Sequence, residues 1–496
     1  MKNMKKRAIS LILIVLQLAA VLVSCGEKAD PVDTTVTSAD TEAGVTETTE
    51  PATTEGGFDR KSVDDELGSY DFNNYEFRIA TSNERTNHYF IEESTGDVVD
   101  DAIYARNLAV EERFNCKITV ISDTEHRETA IITNTIAGGE DAIDLICWHV
   151  MTAGGMVTKN YFMNWYDIPN VDFEKPWWSN SNIEHLTYGD FCPVAIGDFA
   201  LSALSGTYCV YYNKTKGEEY HIPDMYEVVN SGKWTFDYLF GLTKDTHADL
   251  NGNNTPDDED FFGFASDTRS NVVTYMWAFD NPIYIKNQGK LEYALNVEKT
   301  SAIAEKLLSA FTSNPGFRLG GNDAYNYGRD MFSTGKALFA NGIIGDSLTH
   351  MRAMGDEYGI LPYPKWDESQ EEYHTAVDGN HHIMAVPITV SDPEKIGTIV
   401  EALCAESYKT VVPAYYDVAL KLKGTRDPES IEMLDRIVNG RIFDFGFVYD
   451  NWKGAAFILQ DLMLKKSSDF ASYWKGTERV VLKYYDTVIN YFASNG

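Results

Sequence analysis

The sequence predicts two α/β lobes with a helical C-terminal part, on three observations. Strand-like and helix-like segments alternate between residues 75 and 148. Two extended runs within residues 194–214 flank a stretch of small residues, as expected where a chain crosses between lobes. The body from about residue 58 to 496 is longer than one hydrophobic core usually serves, so two are expected.

The first strand is Tyr75-Glu76-Phe77-Arg78-Ile79-Ala80, where exposed and buried positions alternate, followed by a polar loop at 81–86. Residues 97–114 form a helix with Val99, Ile103, Val110 and Phe114 on one face and Glu111 and Glu112 outward. Residues 117–121 are a strand, 128–137 a second helix ending at Gly138-Gly139, and 142–148 a third strand. That third strand is the short apolar run of a buried parallel sheet. Val194-Ala195-Ile196-Gly197-Asp198 and residues 207–214 are the extended runs around the crossing. Thr235 caps a helix opened by Gly232-Lys233-Trp234. Helices follow at 301–311 and 393–407, with strands at 335–340 and 359–365. Residues 382–387 read as a return crossing, with more helices to the end.

The N-terminus predicts an extracytoplasmic compartment. Lys2, Lys5, Lys6 and Arg7 precede an apolar stretch, Leu11 to Val23, too short for a transmembrane helix. It ends in Leu22-Val23-Ser24-Cys25, which resembles a bacterial lipobox. Residues 1–24 are then a lipoprotein signal peptide and Cys25 the lipidated first residue of an extracytoplasmic chain held on the cell membrane. Residues 27–57 lack Leu, Ile and aromatics. Such a segment cannot offset its ordering entropy, so 25–57 are expected to form a disordered tether rich in Thr and Glu.

A formal charge of −33 argues against nucleic acid, whose phosphates such a surface repels. Beyond Cys25 the cysteines are Cys116, Cys147, Cys192, Cys209 and Cys404, scattered and without CxxC spacing. Buried free thiols are expected.

The sharpest local motif is the twelve-residue loop 249–260. Asp249, Asn251, Asn253, Thr255, Asp257 and Asp260 place oxygens close to the pattern of an EF-hand calcium loop. Asn254 replaces the turn glycine and Asp260 the bidentate glutamate. Structural Ca2+ is the expectation there. His381 and His382 are adjacent, so as strand neighbours they point apart and offer no zinc set.

Several segments together resemble the extracellular solute-binding proteins of ABC importers, in the carbohydrate-binding group that includes maltose-binding protein. They are Tyr211-Tyr212-Asn213-Lys214, Trp234-Thr235, Phe332-Ser333-Thr334-Gly335-Lys336-Ala337-Leu338, Tyr358-Gly359-Ile360-Leu361-Pro362 and Ala385-Val386-Pro387. The resemblance implies a periplasmic-binding-protein-like fold. Lobe 1 would be 58–200 plus about 383–410, and lobe 2 would be 201–382 plus about 411–496. A hinge would close these lobes on a sugar, and the closed monomer would meet the transporter's permease subunits. By position relative to that family, the candidate ligand-binding residues are Asn83, Glu84, Arg85, Trp148, His149, Asp198, Trp277, Asp280, Asp346, Asp378, Asn380 and Trp452. Ile343-Ile344-Gly345-Asp346 stands where the group's best-known member carries a tryptophan, which leaves the sugar's identity open. A secreted glycoside hydrolase, which needs two carboxylates at a set separation, and a peptide-binding or adhesion lipoprotein are the alternatives.

Overall fold

The computed structural model describes residues 59–496 apart from 123–124, 126–127, 288–289, 323–324 and 422–427. The signal peptide, Cys25 and the tether lie outside the described residues.

The alternating run at 75–80 is β1 (Tyr75–Ala80), parallel to β2 (Cys116–Ile121) and to β3 (Leu145–His149). Tyr208–Asn213, His247–Ala248 and Phe261–Ser266 are β4, β5 and β6, and Tyr284–Asn287 with Lys290–Tyr293 is the hairpin β7–β8. Phe317–Leu319, Ala337–Ile343, Tyr358–Leu361 and His382–Ala385 are β9 to β12. The first sheet has the order β12-β3-β1-β2, with the late strand β12 antiparallel to β3. The second has the order β11-β4-β10-β6-β5, with β9 on β6.

Side-chain alternation sorts the first sheet. Leu145 and Cys147 pack with Phe77, Ile79 and Phe114 on one face. Ile146 and Trp148 pack with Ile132 and Ile136 on the other. Helix α1 (Val98–Phe114) starts where Asp97 Oδ1 accepts from the Val99 and Asp100 N–H groups. It stops at Asn115, which takes the left-handed conformation. Asp144 locks the sheet corner through Arg78 Nε and Nη2, at 2.9 and 2.7 Å, and the Tyr75 hydroxyl at 2.7 Å. The third strand starts three residues later than its apolar run, because Asp144 is committed to that corner.

The crossing at 194–214 contains one regular strand only, β4. The run 194–198 joins the first sheet by a single bridge, Ala195 to Met384. Between them lies the short helix α2 (Leu201–Ser205). Helix α3 (Phe236–Thr243) is capped by Thr235 Oγ1 accepting from Tyr238 N at 3.2 Å. Helix α4 (Pro393–Glu406) runs through a π-helical turn, Ser407–Val411, into α5 (Val412–Lys421). The chain ends in α6 (Phe470–Asn495), which buries Phe470, Trp474, Val481, Tyr485, Val488 and Phe492 at helical spacing. Each such residue contributes roughly 1.5–3 kcal/mol of burial. The five cysteines among the described residues are buried free thiols. No helix among the described residues is long and apolar enough to cross a membrane.

Candidate functional site

Between the two sheets lies a chamber of about 300 Å3. His149, the last residue of β3, supplies one wall, and Asp378, Gly379 and Asn380, just before β12, supply the floor. Tyr208 opens β4, Arg269 follows β6, and Tyr325, Trp452, Phe457 and Gln460 come from loops and the C-terminal part.

Its polar groups are pre-oriented. His149 Nε2 faces Asn380 Oδ1 at 3.2 Å, and Nδ1 faces the Thr152 hydroxyl at 3.4 Å. The Tyr208 hydroxyl donates to Asp378 Oδ2 at 2.6 Å, and Asn380 N–H donates to Oδ1 at 2.9 Å. Arg269 donates Nε to the Asn322 carbonyl at 2.7 Å, and its guanidinium lies 4.6 Å over the Tyr325 ring. Buried Asp267 accepts from Arg269 N at 2.9 Å and pairs with the Asn271 amide. Burial pushes the Asp267 carboxyl up to about 6.

Two aromatic faces stay open to solvent, Tyr325 at 56% and Trp452 at 46% exposure. The Trp452 turn is unusual, since Asn451 and Trp452 both have positive φ, 48° and 55°. Asp450, fully buried, holds it by accepting from Ala456 N at 3.0 Å and the Tyr485 hydroxyl at 3.3 Å. Gly454 packs so tightly on Tyr485 and Asp450 that a Cβ there would collide with both.

A second chamber, about 380 Å3, opens beyond the end of β1. It is lined by Arg85, the α1 start at Asp97 and Asp100, and Asp346 after β10. Arg329 joins the chambers electrostatically. Its Nε lies 2.8 Å from Asp346 Oδ2, and Asp378 and Asp267 also hold its charge.

The twelve sequence candidates thus part company. His149, Asp378, Asn380 and Trp452 meet in the first chamber, and Arg85 and Asp346 in the second. Asn83 and Glu84 are exposed on the turn Asn83–Arg85. Trp148 is fully buried inside the first sheet. Trp277 is also fully buried, with Nε1 donating to Asp444 Oδ2 at 2.9 Å. Asp280 pairs with His374 at the surface. Asp198 faces a third cavity. Tyr208, Arg269, Tyr325, Phe457 and Gln460 are additions. The signal that could have found Arg269 is the polar step directly after the apolar run Phe261–Ser266, a strand end beside a lobe fissure.

The acidic loop wraps on itself. Asp249 accepts from the backbone of Gly252 at 2.7 Å and Asn254 at 2.8 Å, and Asn251 and Asn253 donate their amides to Asp257. Asn254 takes a left-handed φ of 57° in place of the turn glycine. Asp260 is turned inward, to Leu250 N at 3.1 Å and His247 Nε2 at 3.3 Å. Asn251 and Asn253 turn their amide nitrogens, not their oxygens, to Asp257, and their Oδ1 atoms accept from the Asn253 and Thr255 N–H groups, so the loop as folded is closed by its own hydrogen bonds. Among the described residues no three His, Cys, Asp or Glu side chains form a metal-holding group. His381 and His382 do point apart, the first to the Asp378 carbonyl at 2.6 Å and the second to the Tyr89 hydroxyl at 3.0 Å.

No family model matches the chain, and no curated protein matches it. A solved structure of a cyclo/maltodextrin-binding protein complexed with maltotetraose is similar, with a TM-score of 0.53 and 15% sequence identity. The match covers 87% of this chain and 98% of that one. What the likeness establishes is the architecture: this chain has a two-lobed, maltose-binding-protein-like α/β fold.

Proposed function

We propose that the chain is a non-enzymatic solute-binding protein that takes a sugar or oligosaccharide into the first chamber and delivers it to an ABC importer by hinge closure. The observation that carries this reading is the pair of open aromatic faces, Tyr325 and Trp452, set among Asp378, Asn380 and Gln460. Sugars present hydroxyls to carboxylates and amides, and weakly apolar ring faces to aromatic rings. A ligand touching elements of both sheets stabilises the arrangement in which they approach, and the permease would read that arrangement. The match to a maltodextrin-binding protein supports the sugar class.

The proposal includes an extracytoplasmic location with a lipid anchor on Cys25, supported by the lipobox-like Leu22-Val23-Ser24-Cys25. It also includes structural Ca2+ in loop 249–260, supported by the spacing of Asp249, Asn251, Asn253, Thr255, Asp257 and Asp260 along the chain.

The test is a titration of the full chain with mono- and oligosaccharides, following tryptophan fluorescence and, separately, glycan turnover. A saturable change with one sugar class and no turnover is expected. Silence towards every sugar from folded protein would sink the reading, and turnover would make the chain a glycoside hydrolase.

A further inference from the structure

A third cavity, about 500 Å3, shares no lining residue with the two chambers. Helix α2 separates it from the second chamber. Leu201 and Ser205, one turn apart, face the second chamber, while Ala200, Ala203 and Leu204 face the third cavity. Its volume lies within the range of small-molecule sites, roughly 300–1,000 Å3. Part of its wall is the π-helical turn Ser407–Val411, through Tyr408, a backbone irregularity often kept at functional sites.

The wall carries both signs of charge. Asp198 feels the guanidiniums of Arg441 and Arg60, and among the described residues its carboxylate has no hydrogen-bond partner. Burial pushes it up to about 7, the behaviour of a carboxylate lacking a close donor. Arg60 lies 4.6 Å over the Tyr408 ring. Arg441 donates to the Val438 carbonyl at 2.8 Å and the Ala203 carbonyl at 3.3 Å, which leaves further N–H groups for a ligand. Asp435 adds a second carboxylate beside Tyr416.

These charges select the ligand class. A simple cation would face two guanidiniums, and a simple anion two carboxylates. A neutral polyol would leave the opposed charges unsatisfied. A molecule with both an ammonium and a carboxylate satisfies both. We propose that this cavity is a second ligand site, for a small zwitterion of the amino-acid type, with its ammonium on Asp198 and its carboxylate on Arg60 and Arg441. The proposal stands on the cavity's own geometry and does not depend on the sugar reading.

The test uses the full chain and ligand-observed NMR with free L-amino acids, against their N-acetyl amides, which carry neither backbone charge. At least one free amino acid should bind saturably at millimolar concentration or below, and its N-acetyl amide should not. Asp198→Asn should weaken it by at least about tenfold, the scale of one charge-assisted hydrogen bond. Should D198N fail to fold, Arg60→Gln at the partly exposed cavity rim decides in its place, with a weakening of the same order. Trp452→Ala, in the first chamber, should leave this binding unchanged. The proposal falls if folded protein binds no free amino acid at millimolar concentration or binds the N-acetyl amides equally well. It also falls if binding survives both D198N and R60Q, or disappears in W452A.

Discussion

The Trp452 indole stacks on the His149 imidazole, with ring centroids 5.5 Å apart and planes inclined at 29°. A residue of the C-terminal part is thereby fixed against the last residue of β3, with 46% of its surface open. A sugar ring can use that open face with little loss of conformational freedom, because the indole is already positioned. Trp452→Ala is expected to weaken sugar binding by at least about tenfold. Unfolding free energy should change by less than about 1 kcal/mol, as expected for a half-exposed side chain. Calorimetric titration beside urea unfolding checks both, and unchanged affinity would remove Trp452 from the site.

The Arg329–Asp346 pair, 2.8 Å apart with side chains 11% and 4% exposed, should behave differently. Asp346→Ala removes the nearest carboxylate from a buried guanidinium and leaves Asp378 and Asp267 to hold its charge. A loss of about 3 kcal/mol is expected. Replacing both partners, as Arg329→Met with Asp346→Leu, should recover much of it. A double variant no more stable than Asp346→Ala would show that the pair's shape, not its charge, matters.

Glu401 sits buried on α4 and accepts from Trp177 Nε1 and Trp178 Nε1, both at 2.8 Å. Burial pushes its carboxyl up to about 7 from an ordinary 4.5. A raised acid favours the protonated folded state, so its contribution is full below 4.5 and is lost as pH rises through about 7. Glu401→Gln stays neutral throughout. Its Tm relative to the parent should therefore climb by a few degrees between about pH 5 and about pH 8. Parallel pH profiles for the two proteins would contradict the assignment.

A chelator should lower Tm by a few degrees, and calcium should restore it. Asp257 gathers both asparagine amides, so Asp257→Ala should abolish the response. An unshifted Tm in chelator would leave loop 249–260 closed by its own hydrogen bonds alone.

Much of the architecture was legible because it is written in local periodicity. The 75–80 alternation is β1, the face of Val99, Ile103, Val110 and Phe114 is α1, and Thr235 caps its helix. The site was less legible, since strand ends such as His149 and Tyr208 meet there with loop residues such as Tyr325 and Trp452, which no periodicity marks. Trp148 and Trp277 share their residue type with Trp452, yet both are buried to 0% exposure. Only tertiary packing separates a tryptophan that fills a core from one that lines a cavity. Asp198 lies beside a crossing as expected, but α2 turns it away from the two chambers. Arg269 and Tyr325 are joined by a cation–π contact across residues far apart in sequence, which no local pattern encodes.

The antiparallel pairing of β12 with β3 has a consequence for biosynthesis. A ribosome making this chain from its N-terminus finishes β3 at residue 149 but does not deliver the neighbouring strand until residue 385. During that interval the edge of β3 presents unpaired backbone groups beside strongly apolar side chains, which invites misassembly. The long-range closure also makes spontaneous folding slow. The first sheet thus stays unfinished for most of the chain's synthesis and locks only when β12 arrives.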